Sequence, residues 1–200
     1  AEQEGIKYLK DGDVCYESLI LSYTTLPKTA DELHETGLEA LKGIHDEFRS
    51  LGPKTVKSDD LALIFERLRT EPNLYFETED QVVAKAESSL ASAEKIMGDW
   101  FGRLPKAPCK VTPIPAHEAP YTTIAYYSQP HADGSKPGEY YVNTYAPQTR
   151  PRHEAEVLAF HEAIPGHHLQ IAIAQELPDL PAFRKYQGQT AFVEGWALYT

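Results

Sequence analysis

The spacing of apolar side chains predicts that residues 1–104 are helical. Apolar residues recur at intervals near 3.6 along several stretches, which is the period of one helix face. Thr29 and Thr78 each precede Glu or Gln by three residues, the capping-box pattern that marks a helix start. The predicted helices cover a buried segment at 13–25, a segment from Thr29 to a stop at Gly52-Pro53, one beginning at Ser58, and one from Thr78 to about Leu104.

The pattern changes in residues 105–150, which are rich in proline and tyrosine and have little helical periodicity. Three short runs with β-branched and aromatic residues predict strands at Lys110–Thr112, Thr123–Tyr127 and Glu139–Thr144. Helical periodicity returns in residues 151–200. The sequence therefore predicts a mainly α fold with a small β ribbon, in three segments: 1–104 helical, 105–150 β ribbon and loops, and 151–200 metal-site helices.

Composition and charge narrow the classes of function. The chain has 42% hydrophobic residues, enough to bury a core. Its net charge of −11 disfavours nucleic acid and anionic membrane as partners, and no apolar run is long enough to span a bilayer. Cys15 and Cys109 match no metal or redox spacing and are expected to be unpaired thiols, which leaves the compartment open.

The run H-E-A-I-P-G-H-H at residues 161–168 concentrates side chains that bind metal ions. Zinc accepts neutral imidazoles, and helical H-E-x-x-H places two of them on one face. In this chain position 165 is proline. On a straight helix His167 would lie about 240° around and about 9 Å along from His161, and His168 about 10.5 Å along. We therefore expect Pro165-Gly166 to form a bulge that returns His167 to the i+4 place. His168 is the alternative second ligand, and otherwise an outer or substrate-facing residue.

Glu194 is the natural candidate for a third ligand. It lies among apolar residues in the run F-V-E-G-W-A-L-Y at 192–199, where a buried carboxylate is costly unless it is paired or metal-bound. The alternative, which the sequence supports equally, is that Glu194 is a solvent-exposed residue of a helix. Glu162, next to His161, is the candidate general base.

The two runs resemble those of a bacterial family of unassigned function that is grouped with the zincin-like (gluzincin) metallopeptidases. The stretches D-G-S-K-P-G at 133–138 and Y-V-N-T at 141–144 also resemble that family. The resemblance covers most of the chain, and family members are longer at both ends. The wider similarity is to helical gluzincins such as thimet oligopeptidase, angiotensin-converting enzyme and carboxypeptidase Taq.

The resemblance implies a zincin-like helical metallopeptidase fold with the β ribbon next to the active-site helix. It implies that zinc is held by His161, His167 and Glu194, with Glu162 as the general base. The strand ahead of the motif would line the cleft and pair with a peptide substrate. The residues expected to bind substrate are Tyr140, Tyr141, Asn143 and His168.

We therefore expect zinc-dependent hydrolysis of peptide bonds by metal-activated water. The alternatives are a metal-dependent hydrolase of a non-peptide amide, and a non-catalytic helical binding protein with a degenerate metal site. The resemblance favours the bacterial periplasm or envelope over the cytoplasm. Helical character continues up to Thr200. We expect residues 1–200 to be one fragment of a larger catalytic domain, with a further segment packing on residues 190–200, and to be poorly stable and nearly inactive alone.

Overall fold

The structure, a computed structural model, describes residues 5–200 as two compact units. One unit contains the residues up to Glu71 together with Gln189–Ala191, and the other contains Pro72–Gly188 with Phe192–Thr200. The helices are α1 Gly12–Thr24, α2 Ala30–Thr55, α3 Leu61–Thr70, α4 Glu79–Trp100, α5 Arg152–Glu162, α6 His167–Glu176, α7 Ala182–Tyr186 and α8 Thr190–Tyr199; the strands are β1 Cys109–Pro113, β2 Ala125–Ser128 and β3 Gly138–Val142. The prediction of a mainly helical chain with a small sheet is confirmed.

Helix α2 of the first unit begins at the predicted capping box. The Thr29 hydroxyl accepts a hydrogen bond from the Glu32 backbone N–H, and the Glu32 carboxylate accepts one from the Thr29 N–H. The predicted stop at Gly52-Pro53 is wrong, because the helix continues to Thr55. A proline removes one backbone hydrogen bond and crowds the preceding turn, but Pro53 lies so near the end of α2 that the helix still completes its last turn.

Helix α1 forms at the predicted place, but the prediction that it is buried is wrong. Ile20 is buried, whereas Val14, Leu21 and Tyr23 are each more than half exposed. The apolar residues at positions 14, 19, 20, 21 and 23 point in several directions around a helix, so one core could not cover them all.

Helix α4 provides the long apolar stripe of the second unit. Its Thr78 N-cap hydroxyl accepts from the Gln81 N–H, while the Gln81 side chain accepts from Glu77 and not from Thr78. The stripe packs on the sheet and on α5 and α6, where burial of each large apolar side chain contributes about 1.5–3 kcal/mol. The buried positions of α4 are Val82, Ala86, Ser89, Leu90, Ala93 and Met97. Trp100 is exposed, whereas Phe101 packs against the core.

The three strands form one sheet in the order β1-β3-β2. β3 is parallel to β1 and antiparallel to β2. Tyr140 and Val142 of β3 face the core, and Tyr141 stacks on Tyr126 of β2 with ring centroids 4.7 Å apart. β3 is therefore the central strand, and β2 lies at one edge.

Among residues 5–200, no helix combines the length and the apolar character needed to cross a membrane.

Candidate metal centre

The run at residues 161–168 forms two helices joined by a tight turn. α5 ends at Glu162 and α6 begins at His167, with a cis Ile164–Pro165 peptide bond between them. The Gly166 N–H donates to the Phe160 carbonyl at 2.8 Å and the His168 N–H donates to the Ala163 carbonyl at 2.9 Å. The expected bulge within one helix is therefore a break between two. The break has the expected consequence, because the rings of His161 and His167 lie 4.7 Å apart, centroid to centroid.

Gly166 is required by the closeness of the chain in this turn. A Cβ atom at this position would lie 1.9 Å from the His161 carbonyl oxygen and 2.4 Å from that of Phe160. A side chain at position 166 would therefore clash with the backbone that closes the turn.

The turn and α8 bring together the three predicted ligands. The ligand atoms of His161, His167 and Glu194 all lie within 4.8 Å of one another. The Glu194 carboxylate oxygens lie 3.4 Å from Nε2 of His161 and 3.7 Å from Nε2 of His167. Two ligands bound at 2.0–2.1 Å to a tetrahedral zinc would lie roughly 3.4 Å apart. The residues therefore fit zinc in donor type and in spacing.

Helix α8 is held against the turn by two hydrogen bonds. Nε1 of Trp196 donates to the Pro165 carbonyl at 2.8 Å, and Nε2 of Gln170 donates to the Phe192 carbonyl at 3.2 Å. These contacts lie on either side of Glu194 in the sequence and set the place of its carboxylate. The Glu194 side chain is 56% exposed, so its carboxylate does not carry the desolvation cost of a buried one.

His167 has the properties of a neutral ligand. Burial lowers its pKa, and the Glu194 carboxylate opposes that shift. Nδ1 of His167 is buried and has no hydrogen-bond partner in the described chain. Metal-bound histidines usually donate this second N–H to an acceptor that fixes the ring. Since His167 has no such acceptor among the described residues, its ring is oriented by packing against His161 and Tyr127.

Glu162 is half-buried beside the three ligands. Burial raises the pKa of its carboxyl, His161 lowers it, Glu194 raises it and a hydrogen bond from the Tyr127 backbone N–H lowers it. A carboxylate with a raised pKa is a better proton acceptor near neutral pH than an ordinary one. The structure thus places a half-buried carboxyl with a raised pKa next to the cluster.

The cluster opens on a cleft of about 360 Å³. The cleft is lined by Tyr126, Tyr127, His161, Glu162, His167, Ile171, Val193 and Glu194. A larger cavity of about 590 Å³ is lined by Pro130–Lys136 residues and the end of α6 and contains none of the three ligands. The candidate metal ligands and the candidate base converge in the smaller cleft, and none of them lines the larger cavity.

Three of the residues expected to bind substrate cannot do so through their side chains. Tyr140, Asn143 and His168 are each at most 1% exposed. The Asn143 amide donates to the Ala119 and Thr123 carbonyls, which fixes a loop. His168 also has both ring nitrogens hydrogen-bonded away from the cluster, so the alternative that it is the second ligand is incompatible with this arrangement. Tyr141 is half-buried against Tyr126, and its role stays a prediction.

The strand expected to pair with substrate is also corrected. β3 has β1 on one side and β2 on the other, so it has no free edge. The edge strand that lines the cleft is β2, through Tyr126 and Tyr127. The sequence did not identify Tyr126 and Tyr127 because the pattern of a strand does not reveal its place in the sheet. It did not identify Ile171 and Val193 because they reach the cleft through the packing of α6 and α8.

Comparison with known proteins identifies the family. The chain is similar to a crystal structure of "the putative lipoprotein from Colwellia psychrerythraea", with a TM-score of 0.92, 25% sequence identity, and coverage of 98% of this chain and 34% of that one. The chain thus spans about a third of the length of that protein. The comparison with curated proteins found no match. A family model described as "Bacterial protein of unknown function (DUF885)" matches residues 1–200, and the chain therefore belongs to this bacterial family.

Proposed function

We propose that this protein is a zincin-like metallopeptidase that hydrolyses peptide bonds at a zinc ion held by His161, His167 and Glu194. The observation that carries the proposal is the convergence of two imidazoles and one carboxylate, at separations that suit one tetrahedral ion, beside a half-buried glutamate. The motif resemblance to gluzincins supports the same assignment.

A bound zinc would supply Lewis-acid activation of water and of the scissile carbonyl. The chain supplies the rest of the chemistry. The imidazoles of His161 and His167 would provide nitrogen lone pairs to the ion, and the Glu194 carboxylate would offset part of its charge. Three protein ligands leave a fourth position open, as in catalytic zinc sites.

Glu162 has the position and the environment of a general acid–base. It lies beside His161 in the cleft wall, where its carboxylate can take a proton from the attacking water and transfer it to the leaving amine. Burial favours the protonated form and the Tyr127 N–H favours the carboxylate. The two influences oppose each other, which suits a group that must accept and then release a proton.

The outer edge of β2 is the place where an extended peptide would bind. An edge strand presents unpaired backbone groups to which another strand can add. β2 lies at the edge of the sheet and contributes Tyr126 and Tyr127 to the cleft. A peptide added there would lie next to Glu162 and the three ligands, and would pair with backbone groups of β2 other than the Tyr127 N–H, which donates to Glu162.

The test compares Glu162→Gln with Glu154→Gln in the full-length gene product, with zinc measured by elemental analysis and hydrolysis measured on a pool of internally quenched peptides. Glu154 is exposed in the first turn of α5 and serves as the matched control. We expect Glu162→Gln to keep its zinc and to lose turnover by about 10²-fold or more. Equal loss of metal and turnover would show that Glu162 is a ligand or a structural partner.

The same experiment separates the alternatives. Substoichiometric zinc and no hydrolysis in the unaltered protein would favour a non-catalytic binding protein with a degenerate site. Hydrolysis of small non-peptide amides without hydrolysis of peptides would favour the other hydrolase.

We also propose a location in the bacterial cell envelope. The support is the lipoprotein description of the matched Colwellia structure, together with the bacterial family. Fractionation of the native host should recover the protein with membranes or periplasm. Recovery from the cytosol would overturn this location.

Apolar side chains of α8 support a further contact of the same protein. Phe192, Leu198 and Tyr199 are each at least 66% exposed, and burial of each would contribute about 1.5–3 kcal/mol. We propose that a further segment of the protein packs on this helix. Residues 1–200 expressed alone should then melt at lower temperature than the full-length gene product, and an equal, cooperative melt would contradict the proposal.

A further inference from the structure

His168 is fully buried in the second unit, and both of its ring nitrogens have partners. Nε2 lies 2.9 Å from the carbonyl oxygen of Ala107, which precedes β1. Nδ1 lies 2.9 Å from the hydroxyl of Tyr127 in β2. One imidazole thus joins α6 to two separate parts of the chain.

The partners determine which nitrogen carries the proton. A carbonyl oxygen can only accept, so Nε2 must be the N–H donor. A second proton on Nδ1 would make a buried imidazolium with no charged partner at either nitrogen, which is costly. Nδ1 is therefore the acceptor, and the Tyr127 hydroxyl donates to it. The direction of both hydrogen bonds follows from the chemistry of the Ala107 carbonyl.

Gly138 of β3 lies directly against the hydrogen bond between His168 and Tyr127. A Cβ atom at Gly138 would lie 2.4 Å from Nδ1 of His168 and 2.9 Å from the Tyr127 hydroxyl oxygen. A side chain at position 138 would therefore separate the two partners. The absence of a side chain there is what lets the imidazole and the phenol meet.

Tyr127 connects this buried pair to the candidate base. Its hydroxyl donates to His168, Tyr127 and Glu162 line the same cleft, and a hydrogen bond from the Tyr127 backbone N–H lowers the pKa of the Glu162 carboxyl. The phenol and the backbone amide belong to one residue of a short edge strand, so the position of one constrains the other.

We propose that Ala107, His168 and Tyr127 form a positioning relay that holds the backbone N–H of Tyr127 against Glu162. Its catalytic consequence rests on the proposed peptidase function. His168 is then a positioning residue and not a metal ligand: it acts on the base through β2. Loss of the relay leaves the three ligands in place and lets β2 and the Glu162 carboxylate shift.

The first test does not depend on activity. Long-range ¹H–¹⁵N correlation spectra of the full-length protein, with histidine labelled, should show His168 with the proton on Nε2 and an unprotonated Nδ1. Tyr127→Phe should move the Nδ1 resonance, because that nitrogen loses its donor. A proton on Nδ1 of His168, or an Nδ1 resonance unaffected by Tyr127→Phe, would overturn the relay.

The second test measures zinc content and peptide turnover in Tyr127→Phe, His168→Leu and His168→Gln. The glutamine amide offers one donor and one acceptor, as the neutral imidazole does. We expect full zinc in all three, a loss of turnover of about 10- to 10²-fold in Tyr127→Phe and His168→Leu, and partial recovery in His168→Gln. The double variant Tyr127→Phe/His168→Leu should lose no more turnover than His168→Leu alone, because both changes break one relay.

Two controls separate positioning from simple destabilisation. Leu90→Ala removes a core side chain of α4 outside the relay, so at a temperature below its melt it should keep normal turnover. Gly138→Ala should reproduce the Tyr127→Phe result, whereas Gly98→Ala, which has open space around it, should not.

The outcomes separate the positioning role of His168 and Tyr127 from the proposed peptidase function. Normal turnover in Tyr127→Phe, in an active parent protein, overturns the positioning role and leaves the proposed function standing. Loss of zinc in His168→Gln overturns it as well, because His168 would then support the metal. An unaltered protein that hydrolyses no peptide overturns the proposed function and the positioning role together, while the hydrogen bonds themselves are decided by the spectra.

Discussion

His167 and His168 are neighbours in sequence, yet their side chains point in different directions from the first turn of α6. The cleft side consists of His161, His167 and Glu194, and the buried side consists of His168 with Tyr127 and Ala107. Nε2 of His167 faces a carboxylate at 3.7 Å and its Nδ1 has no partner in the described chain. Both nitrogens of His168 are paired at 2.9 Å.

The contrast teaches that residue type alone does not identify a metal ligand. An imidazole can bind a metal only if a nitrogen lone pair is free and accessible. His168 uses its lone pair to accept the Tyr127 hydrogen bond, whereas His167 directs a ring nitrogen towards the cluster. Hydrogen-bond satisfaction, which no spacing rule contains, therefore separates two chemically identical side chains.

The largest expected effect is on zinc content, which should differ between a variant of the cleft side and a variant of the buried side. His161→Ala removes one of three donors, so the zinc content should fall from stoichiometric to trace. His168→Gln should retain full zinc, since it alters only the buried side. Elemental analysis after gel filtration measures both. The opposite pattern, with metal kept by His161→Ala and lost by His168→Gln, would reverse the assignment of the two sides.

A smaller effect, on the free energy of unfolding, is expected from substitution of Gly166 in the turn before His167. Gly166→Ala places a methyl group against two backbone carbonyls that cannot rotate away, and overpacking of this kind typically costs about 1–3 kcal/mol. Urea unfolding measures the loss. Gly195→Ala is the matched control, because nothing lies within 4 Å of its Cβ position and it lies within α8. Equal stabilities of the two variants would contradict the tight turn.

The smallest effect should come from Trp196→Phe, which alters the cleft side alone. The change removes the indole N–H bonded to the Pro165 carbonyl, and the net loss of one hydrogen bond is about 0.5–1.5 kcal/mol. We expect a modest loss of stability together with weaker zinc binding, measured by competition with a chelator. Unchanged zinc affinity would show that this bond does not place Glu194.

Local signals in the sequence predicted part of this structure. The capping residues Thr29 and Thr78 begin helices, and the apolar stripe of α4 is buried as its spacing indicates. The approach of His161 and His167 follows from the expected interruption at Pro165, whereas Glu194 is a candidate from its apolar neighbours and from the resemblance to gluzincins. These features depend on residues close in sequence or on a specific motif.

The errors concern features that depend on tertiary contacts. β3 was expected to offer an edge, but the order of strands places it centrally. The apolar sequence neighbours of Glu194 left burial and exposure equally open, and its carboxylate faces the open cleft. Helix α1 was expected to be buried on composition alone, and its apolar residues are mostly exposed. Sequence neighbours report composition, whereas exposure is decided by distant segments.

The distribution of the three ligands between two parts of the chain has a thermodynamic consequence. His161 and His167 come from one turn, and Glu194 comes from α8, which is docked on that turn through Trp196 and Gln170. An ion bound by all three residues binds only the docked form, so it stabilises docking by mass action. Local opening of α8 would be the main route by which such an ion leaves, and amide hydrogen exchange in α8 should slow when zinc is added.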